Sequence, residues 1–293
     1  MSQPVYPEPP ANIPVSMIAP SAEFRFIATS ILLFTCLTGA AQQKRSADLL
    51  PFDVARFEKT MTTVEWLCKY DAVAWWTSDS VMAQSPDELS RLGAEWFCYE
   101  GKKDEWHAIY GKYVDDRFDM VFHFLVDTKG RISRLHQKPD TSLLHPYARA
   151  IVHARKDMEG VGDSIGYRFN QYVRRNKDGR FDVWIFPAFQ TDGTAVYGAE
   201  YHYILNATGN TILRKDAYRG KIQAIKANPS GEVILDNSQF DHPSMGAVFF
   251  VWYYKEYFRH ITIQNKETKT TVFKRPDGTF YWVHADRKNS FVR

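Results

Sequence analysis

The chain has 293 residues, of which 44% are hydrophobic and 24% are charged, a composition typical of a folded globular protein. Its formal net charge is only +3, and it contains no lysine- or arginine-rich cluster long enough to follow a phosphate backbone. Nucleic acid is therefore not expected as a partner. The length allows either two domains or one larger β-rich domain.

The first 41 residues have the features of an N-terminal extension followed by an export signal. Residues 1–24 are rich in proline, and Arg25 then precedes an uncharged run, residues 26–41, that ends in Gly39-Ala40-Ala41. A positive residue, an apolar core and a small-residue end are the parts of a secretory signal peptide. The sequence therefore predicts export to the periplasm or the medium, with cleavage after Ala41.

Three alternatives to this interpretation stay open. Residues 26–41 could remain as a membrane anchor, although a span needs about 20 residues; only in that case is membrane contact expected. Cys36 could carry a lipid, but Phe34 and Thr35 stand where small residues are usual. Met17 could be the true start, which would leave a signal of more ordinary length.

The cysteines gain importance if the protein is exported. Once Cys36 leaves with the signal, Cys68 and Cys98 remain, and an even pair in an oxidising compartment predicts a disulfide. The alternative is a pair of buried free thiols, because cysteine packs well as a small hydrophobic residue. Two cysteines alone do not predict a structural zinc site, which normally has four protein ligands.

Residues 42–93 are predicted to be helical. Within 51–76 the apolar residues recur at intervals of three and four, which indicates an amphipathic helix; they are Val54, Phe57, Met61, Val64 and Cys68. Ser85-Pro86 followed by Glu88 has the pattern of a capped helix start, so a second, short helix is expected to end near Gly93.

Residues 94–293 are predicted to form a β-rich domain. Strand patterns separated by Gly- and Asp-containing turns occur at 94–100, 105–114, 119–127, 131–137, 166–175, 180–189, 195–206, 211–219, 233–236, 260–265, 269–274 and 279–284. A helix is predicted at 142–158, and the aromatic run 245–258 fits either a helix or a strand. We expect an α+β fold, mostly antiparallel sheet built from successive hairpins, with a few helices. The β-runs 94–137 and 166–284 either share one core or form two sub-sheets.

Glu200 and His202 are the polar pair that most invites a catalytic or metal-binding interpretation. They stand two residues apart in a predicted strand, so their side chains point to the same face. Asp241 and His242, in a predicted loop, are plausible third partners. The simpler interpretation is a polar pair on a folded sheet, with Asp241 or Ser244 at a helix start.

Familiar catalytic motifs are absent from the sequence. It contains no G-x-S-x-G, H-E-x-x-H, P-loop, G-x-G-x-x-G or Cys-x-x-Cys pattern. No cofactor is predicted. Tryptophans concentrate in the first third of the chain, where exposed rings could stack on a sugar and buried rings would form a core; they include Trp66, Trp75, Trp76, Trp96 and Trp106.

Residues 178–219 carry Asp178-Gly179, then an aromatic strand ending in Phe186-Pro187-Ala188, then the segment Tyr197-Gly198-Ala199-Glu200-Tyr201. Together with Asp241-His242-Pro243 and the closing turn at Asp277-Gly278, this pattern resembles uncharacterised secreted bacterial proteins of unknown function. The resemblance covers about residues 94–284. It implies bacterial export, but it implies no activity and no catalytic residues.

Two functions follow as hypotheses. The first is a non-enzymatic exported protein that binds a small molecule, a glycan or an envelope protein. The alternative is an envelope hydrolase whose unfamiliar site, assisted by a metal or not, is built from Glu200, His202, Asp241 and His242. An enzyme requires these groups to converge in a cleft.

Overall fold

The computed structural model describes residues 52–102, 104–136, 139–159 and 166–288, which contain four helices and twelve strands. The predictions for residues 1–51, including the signal, Met17 and Cys36, lie outside them. The helices are α1 (Val54–Met82), α2 (Pro86–Leu89), α3 (Thr141–Met158) and α4 (Met245–Tyr254). The strands are β1 (Glu95–Glu100), β2 (Trp106–Val114), β3 (Arg117–Val126), β4 (Ile132–Arg134), β5 (Phe169–Arg175), β6 (Phe181–Pro187), β7 (Thr194–Leu205), β8 (Ile212–Lys226), β9 (Asn228–Asp236), β10 (Phe258–Gln264), β11 (Thr268–Lys274) and β12 (Phe280–Asp286).

Helix α1 is the central helix of the fold. The Asp53 carboxylate caps its start by accepting the Arg56 backbone N–H at 2.9 Å. The helix contacts β1, β2, β3 and β5 as well as α4. It continues to Met82, beyond the predicted end at Trp76, because Thr77 is buried and bonds to both the Val73 carbonyl and the Tyr110 hydroxyl at 2.7 Å.

The first sheet is an antiparallel meander of β1 to β4, and its two middle strands are joined by a two-residue turn. Asp115 and Asp116 form this turn, both with positive φ, as the commonest hairpin turn requires. Because the turn is so short, β3 begins at Arg117, two residues before the predicted strand.

The second sheet is a meander of β5 to β8, and α3 packs against strands of both meanders. Its outer strand, β8, extends to Lys226, well past the predicted end at Arg219. No position in the second half of β8 is fully buried, and its residues lack the strict apolar alternation on which a strand prediction depends. The same applies to the start of β9.

The third sheet has the order β12-β11-β10-β9, and its β9 and β10 run parallel. Parallel neighbours need a crossover, which α4 supplies. The ambiguous run 245–258 therefore divides into a helix and the start of β10. Helix α4 is apolar nearly all round because it is enclosed by α1, β7, β10 and β11. Each large side chain that it buries contributes roughly 1.5–3 kcal/mol.

The predicted fold class is confirmed: the described residues form an α+β fold with three mostly antiparallel sheets. One continuous cluster of buried side chains includes residues from all three sheets and from α1, α3 and α4.

A buried carboxyl group joins three of these elements. Asp71, on α1, accepts hydrogen bonds from the Tyr172 hydroxyl at 2.9 Å and the Asn170 amide at 3.0 Å, both on β5. Its second oxygen accepts from the Tyr253 hydroxyl of α4 at 2.6 Å. Burial raises the pKa of Asp71 although these three donors act to lower it.

We expect Asp71→Ala to lower the free energy of unfolding by about 3 kcal/mol or more, because it leaves three buried donors without an acceptor. The control Tyr253→Phe removes one donor and keeps the ring, so it should cost only about 1 kcal/mol. Urea denaturation of the three proteins measures both effects. Equal losses in the two variants would contradict the central role of Asp71.

Candidate functional site

Glu200 lies in the middle of β7, beneath the N-terminus of α4, and is only 9% exposed. One carboxylate oxygen accepts the Ser244 hydroxyl at 2.6 Å, and the other accepts the backbone N–H of Gly246. A side chain at position 246 would collide with this carboxylate, so a larger residue there would require Glu200 to move. Burial raises the pKa of Glu200 to about 7, against the lowering effect of the two donors.

A buried amide extends this arrangement. Asn237 accepts the Ser244 backbone N–H at 3.0 Å and the Asn265 amide at 3.0 Å, and donates to the Tyr197 hydroxyl at 2.8 Å. Ser244 is the N-cap of α4, as one of the two sequence interpretations proposed. The cluster around Glu200 therefore fixes where α4 begins.

His202 has different partners from Glu200. Its ring stacks on Trp184 with centroids 5.0 Å apart, and its Nε2 lies 2.8 Å from an Asp182 oxygen. Its Nδ1 lies 3.7 Å from an Asp216 oxygen. Asp182 and Asp216 were not singled out from the sequence, although strand pairing places Asp216 directly opposite His202.

The other two candidates lie apart from this pair. Asp241 is exposed, 3.7 Å from the Lys266 ammonium, and the His242 ring lies 6.3 Å from the Phe52 ring. The described contacts link none of the four candidates to another. In the part of the chain that the structure describes, no three His, Cys, Asp or Glu residues are grouped so that they could hold a metal ion.

The predicted disulfide does not form: Cys68 and Cys98 are both free thiols. Cys98 is a neighbour of Tyr70, whereas Cys68 interacts with Glu65 and Lys255. Burial raises the pKa of both thiols.

Tryptophans of the first third of the chain belong to the core. Trp66, Trp96 and Trp106 surround Tyr70, with ring centroids 5.3, 6.1 and 6.2 Å from it. Trp106 is 4% exposed. These rings are packed on one another and do not form a platform for a sugar.

A pocket that the sequence did not suggest lies between the C-terminal end of α4 and the third sheet. It is a cavity of about 210 Å³. Its walls are formed by Pro229, Lys255, Glu256, Phe258, Arg259, His260, Ile261, Val272, Lys274 and Phe280. We call it the basic pocket, because three basic side chains, those of Lys255, Arg259 and Lys274, line it together with one carboxylate, that of Glu256.

The cations of the basic pocket are held against aromatic rings. Lys255 Nζ lies 4.4 Å from the Trp252 ring centroid and 5.3 Å from that of Phe280. Lys274 Nζ lies 5.2 Å from the same Phe280 ring and 3.1 Å from a Glu256 oxygen. Burial lowers the pKa of Lys255. The Nδ1 atom of His260 is buried, with no hydrogen-bond partner among the described residues.

Sequence reasoning missed this pocket because its lining comes from four separate segments. Residues 255–260 belong to a run that fits either helix or strand, and residues 272–280 were read only as a hairpin. The one available signal was the cluster of charges Lys255, Glu256, Arg259 and His260 directly after an apolar helix.

Comparison with known proteins adds no assignment: no protein-family model, no curated protein and no solved structure matches the chain. Among the helices of the described ranges, none is long and apolar enough to cross a membrane.

We expect stability to depend on the protonation of Glu200. Its folded-state pKa, about 7, lies above the ordinary 4.5, so its contribution is complete below pH 4.5 and is lost as the pH rises through 7. The loss should approach about 3 kcal/mol at roughly 1.4 kcal/mol per pKa unit. Glu200→Gln should remove this contribution to the pH dependence of the free energy of unfolding. Denaturation of both proteins at several pH values from 4 to 8 tests this.

The exposed Glu58, on α1, supplies the control. Glu58→Gln should keep the wild-type pH profile. If Glu200→Gln also keeps it, the carboxyl group of Glu200 does not titrate in this range.

Proposed function

We propose that the protein is an exported, non-enzymatic binding protein of the bacterial cell envelope, and that it holds a small anionic ligand in the basic pocket. The observation that carries the proposal is the cavity of about 210 Å³ with Lys255, Arg259 and Lys274 in its lining. The export part depends on the sequence of residues 25–41.

The physical basis is the charge of Arg259 and Lys274, which are exposed, next to Lys255, which is partly removed from water. A charge of opposite sign is attracted more strongly beside a poorly solvated cation than in bulk solvent, because the local dielectric constant is lower. Lysine ammonium groups bind phosphate as point charges, and arginine can bind it through two N–H groups. The orphaned Nδ1 of His260 adds a polar group that a ligand or a water could satisfy.

The hydrolase alternative receives less support from the geometry. Glu200 and Ser244 already bond to each other and to the start of α4. The cavity beside them measures only about 20 Å³, enough for roughly one water molecule. A substrate would need more room there.

Anion binding can be measured by titration calorimetry with inorganic phosphate, sulfate and a sugar phosphate. We expect saturable binding that weakens as salt is added. Lys274→Ala and Arg259→Ala should each weaken it about tenfold, which corresponds to the loss of one charged contact worth roughly 1.4 kcal/mol.

Lys226 is a matched control, because it is an exposed lysine of the second sheet that pairs with Asp192. Lys226→Ala should bind like the wild type. Phosphate binding that is absent, or that Lys226→Ala weakens as much as Lys274→Ala does, would rule out the basic pocket as the ligand site.

Export is tested by expressing the full chain with a C-terminal tag in a bacterium. We expect a processed protein that begins at Gln42 and is released with the periplasm or the medium. Unprocessed protein that stays with the membranes after a salt wash would instead support residues 26–41 as an anchor. Unprocessed protein in the cytoplasm would contradict export.

A further inference from the structure

Lys255 differs from the other cations of the basic pocket in how it is held. Its Nζ donates to the Trp252 carbonyl oxygen at 2.7 Å and lies beside two aromatic rings. Its hydrogen bond thus runs to a neutral acceptor, whereas Lys274 bonds to the Glu256 carboxylate. The amine is fixed at the C-cap of α4.

The surroundings of Lys255 make its ammonium group easier to deprotonate. Burial, the largest influence, lowers its pKa, and the nearby charge of Lys274 acts in the same direction. Glu65 and Cys68 on α1, together with Glu256, oppose this effect, and burial prevails. Each unit by which the pKa falls raises the neutral, nucleophilic fraction at neutral pH about tenfold.

Lys255 also lies near the proposed anion-binding groups. The Nζ atoms of Lys255 and Lys274 lie 5.3 and 5.2 Å from the same Phe280 ring centroid. A small molecule in the pocket could therefore place an anionic group near Lys274 and Arg259 while its other end reaches the Lys255 amine.

We propose that the ligands of the basic pocket are anionic aldehydes or ketones, and that Lys255 holds them as an imine. The inference rests on the proposed function, because the same pocket must bind the anionic group. The neutral Nζ attacks the carbonyl carbon, a C–N bond forms, and the carbonyl electron pair moves to oxygen. Both hydrogens of the amine then leave with that oxygen as water, and C=N replaces C=O without oxidation or reduction.

The test uses the full chain and pyridoxal 5′-phosphate as the anionic aldehyde, below one equivalent. Borohydride fixes any imine as a secondary amine, and peptide mass spectrometry locates it. We expect Lys255 to be labelled about tenfold more than the exposed Lys226, because the anion-binding groups beside it hold the aldehyde near its amine. Neutral pyridoxal should label Lys255 less than the phosphate ester does.

Two variants distinguish imine formation by the Lys255 amine from the effect of its positive charge. Lys255→Arg keeps a positive charge but cannot form an imine, and Lys255→Gln has neither the amine nor the charge, so both should lose the adduct. Adducts spread evenly over exposed lysines, with phosphate binding intact, would overturn the imine and leave the proposed function standing. Selective labelling of Lys255 by both aldehydes alike, without phosphate binding, would overturn the anionic ligand and the proposed function with it.

Discussion

The buried carboxyl group of Asp71 connects three elements at the centre of this fold, α1, β5 and α4. It lies inside the protein, where a charge or an unpaired polar atom is costly, and it is satisfied only because β5 and α4 bring three donors to it. Helix α1 thereby gains a fixed position relative to a sheet and to a second helix. Since α1 also contacts the first meander, an error in its placement would disturb most of the core.

Helix α4 is defined by polar contacts at both of its ends. At the N-terminus, Glu200 and Asn237 hold Ser244 and Gly246 from β7 and the loop after β9. At the C-terminus, Lys255 bonds back to Trp252 and forms one wall of the basic pocket. An apolar helix has no broad polar face to set its rotation, so these terminal contacts and the hydrogen bond from Tyr253 to Asp71 define its orientation.

Local sequence patterns were sufficient to predict the hairpins and the fold class. Turns such as Asn176–Gly179 and Pro276–Gly278 carry their own conformational preference, so the strands beside them could be placed within a few residues. The second half of β8 and the parallel pairing of β9 with β10 could not be predicted. The first lacks strict apolar alternation, and the second depends on how α4, which lies between the two strands in the chain, crosses the sheet.

The candidate site, too, could be predicted from the sequence only in part. Glu200 and His202 do share a strand face, as the two-residue spacing requires, but their partners come from α4 in one case and from β6 and β8 in the other. The alternation of side chains along a strand predicts the face to which each one points, but it does not predict which residues of other elements lie beside it. The basic pocket could not be predicted from the sequence for a related reason. Its lining residues Pro229, Lys255, Lys274 and Phe280 come together only after three strands and a helix have packed against one another.

The free thiols of Cys68 and Cys98 bear on whether this fold depends on oxidation. Oxidation proceeds through the thiolate, and Cys98 is completely buried with a raised pKa, so an oxidant would meet little reactive sulfur at this position. No disulfide joins Cys68 to Cys98. Apolar packing therefore connects α1 to β1 without a covalent crosslink between these two residues, and a reducing agent has no bond to break there.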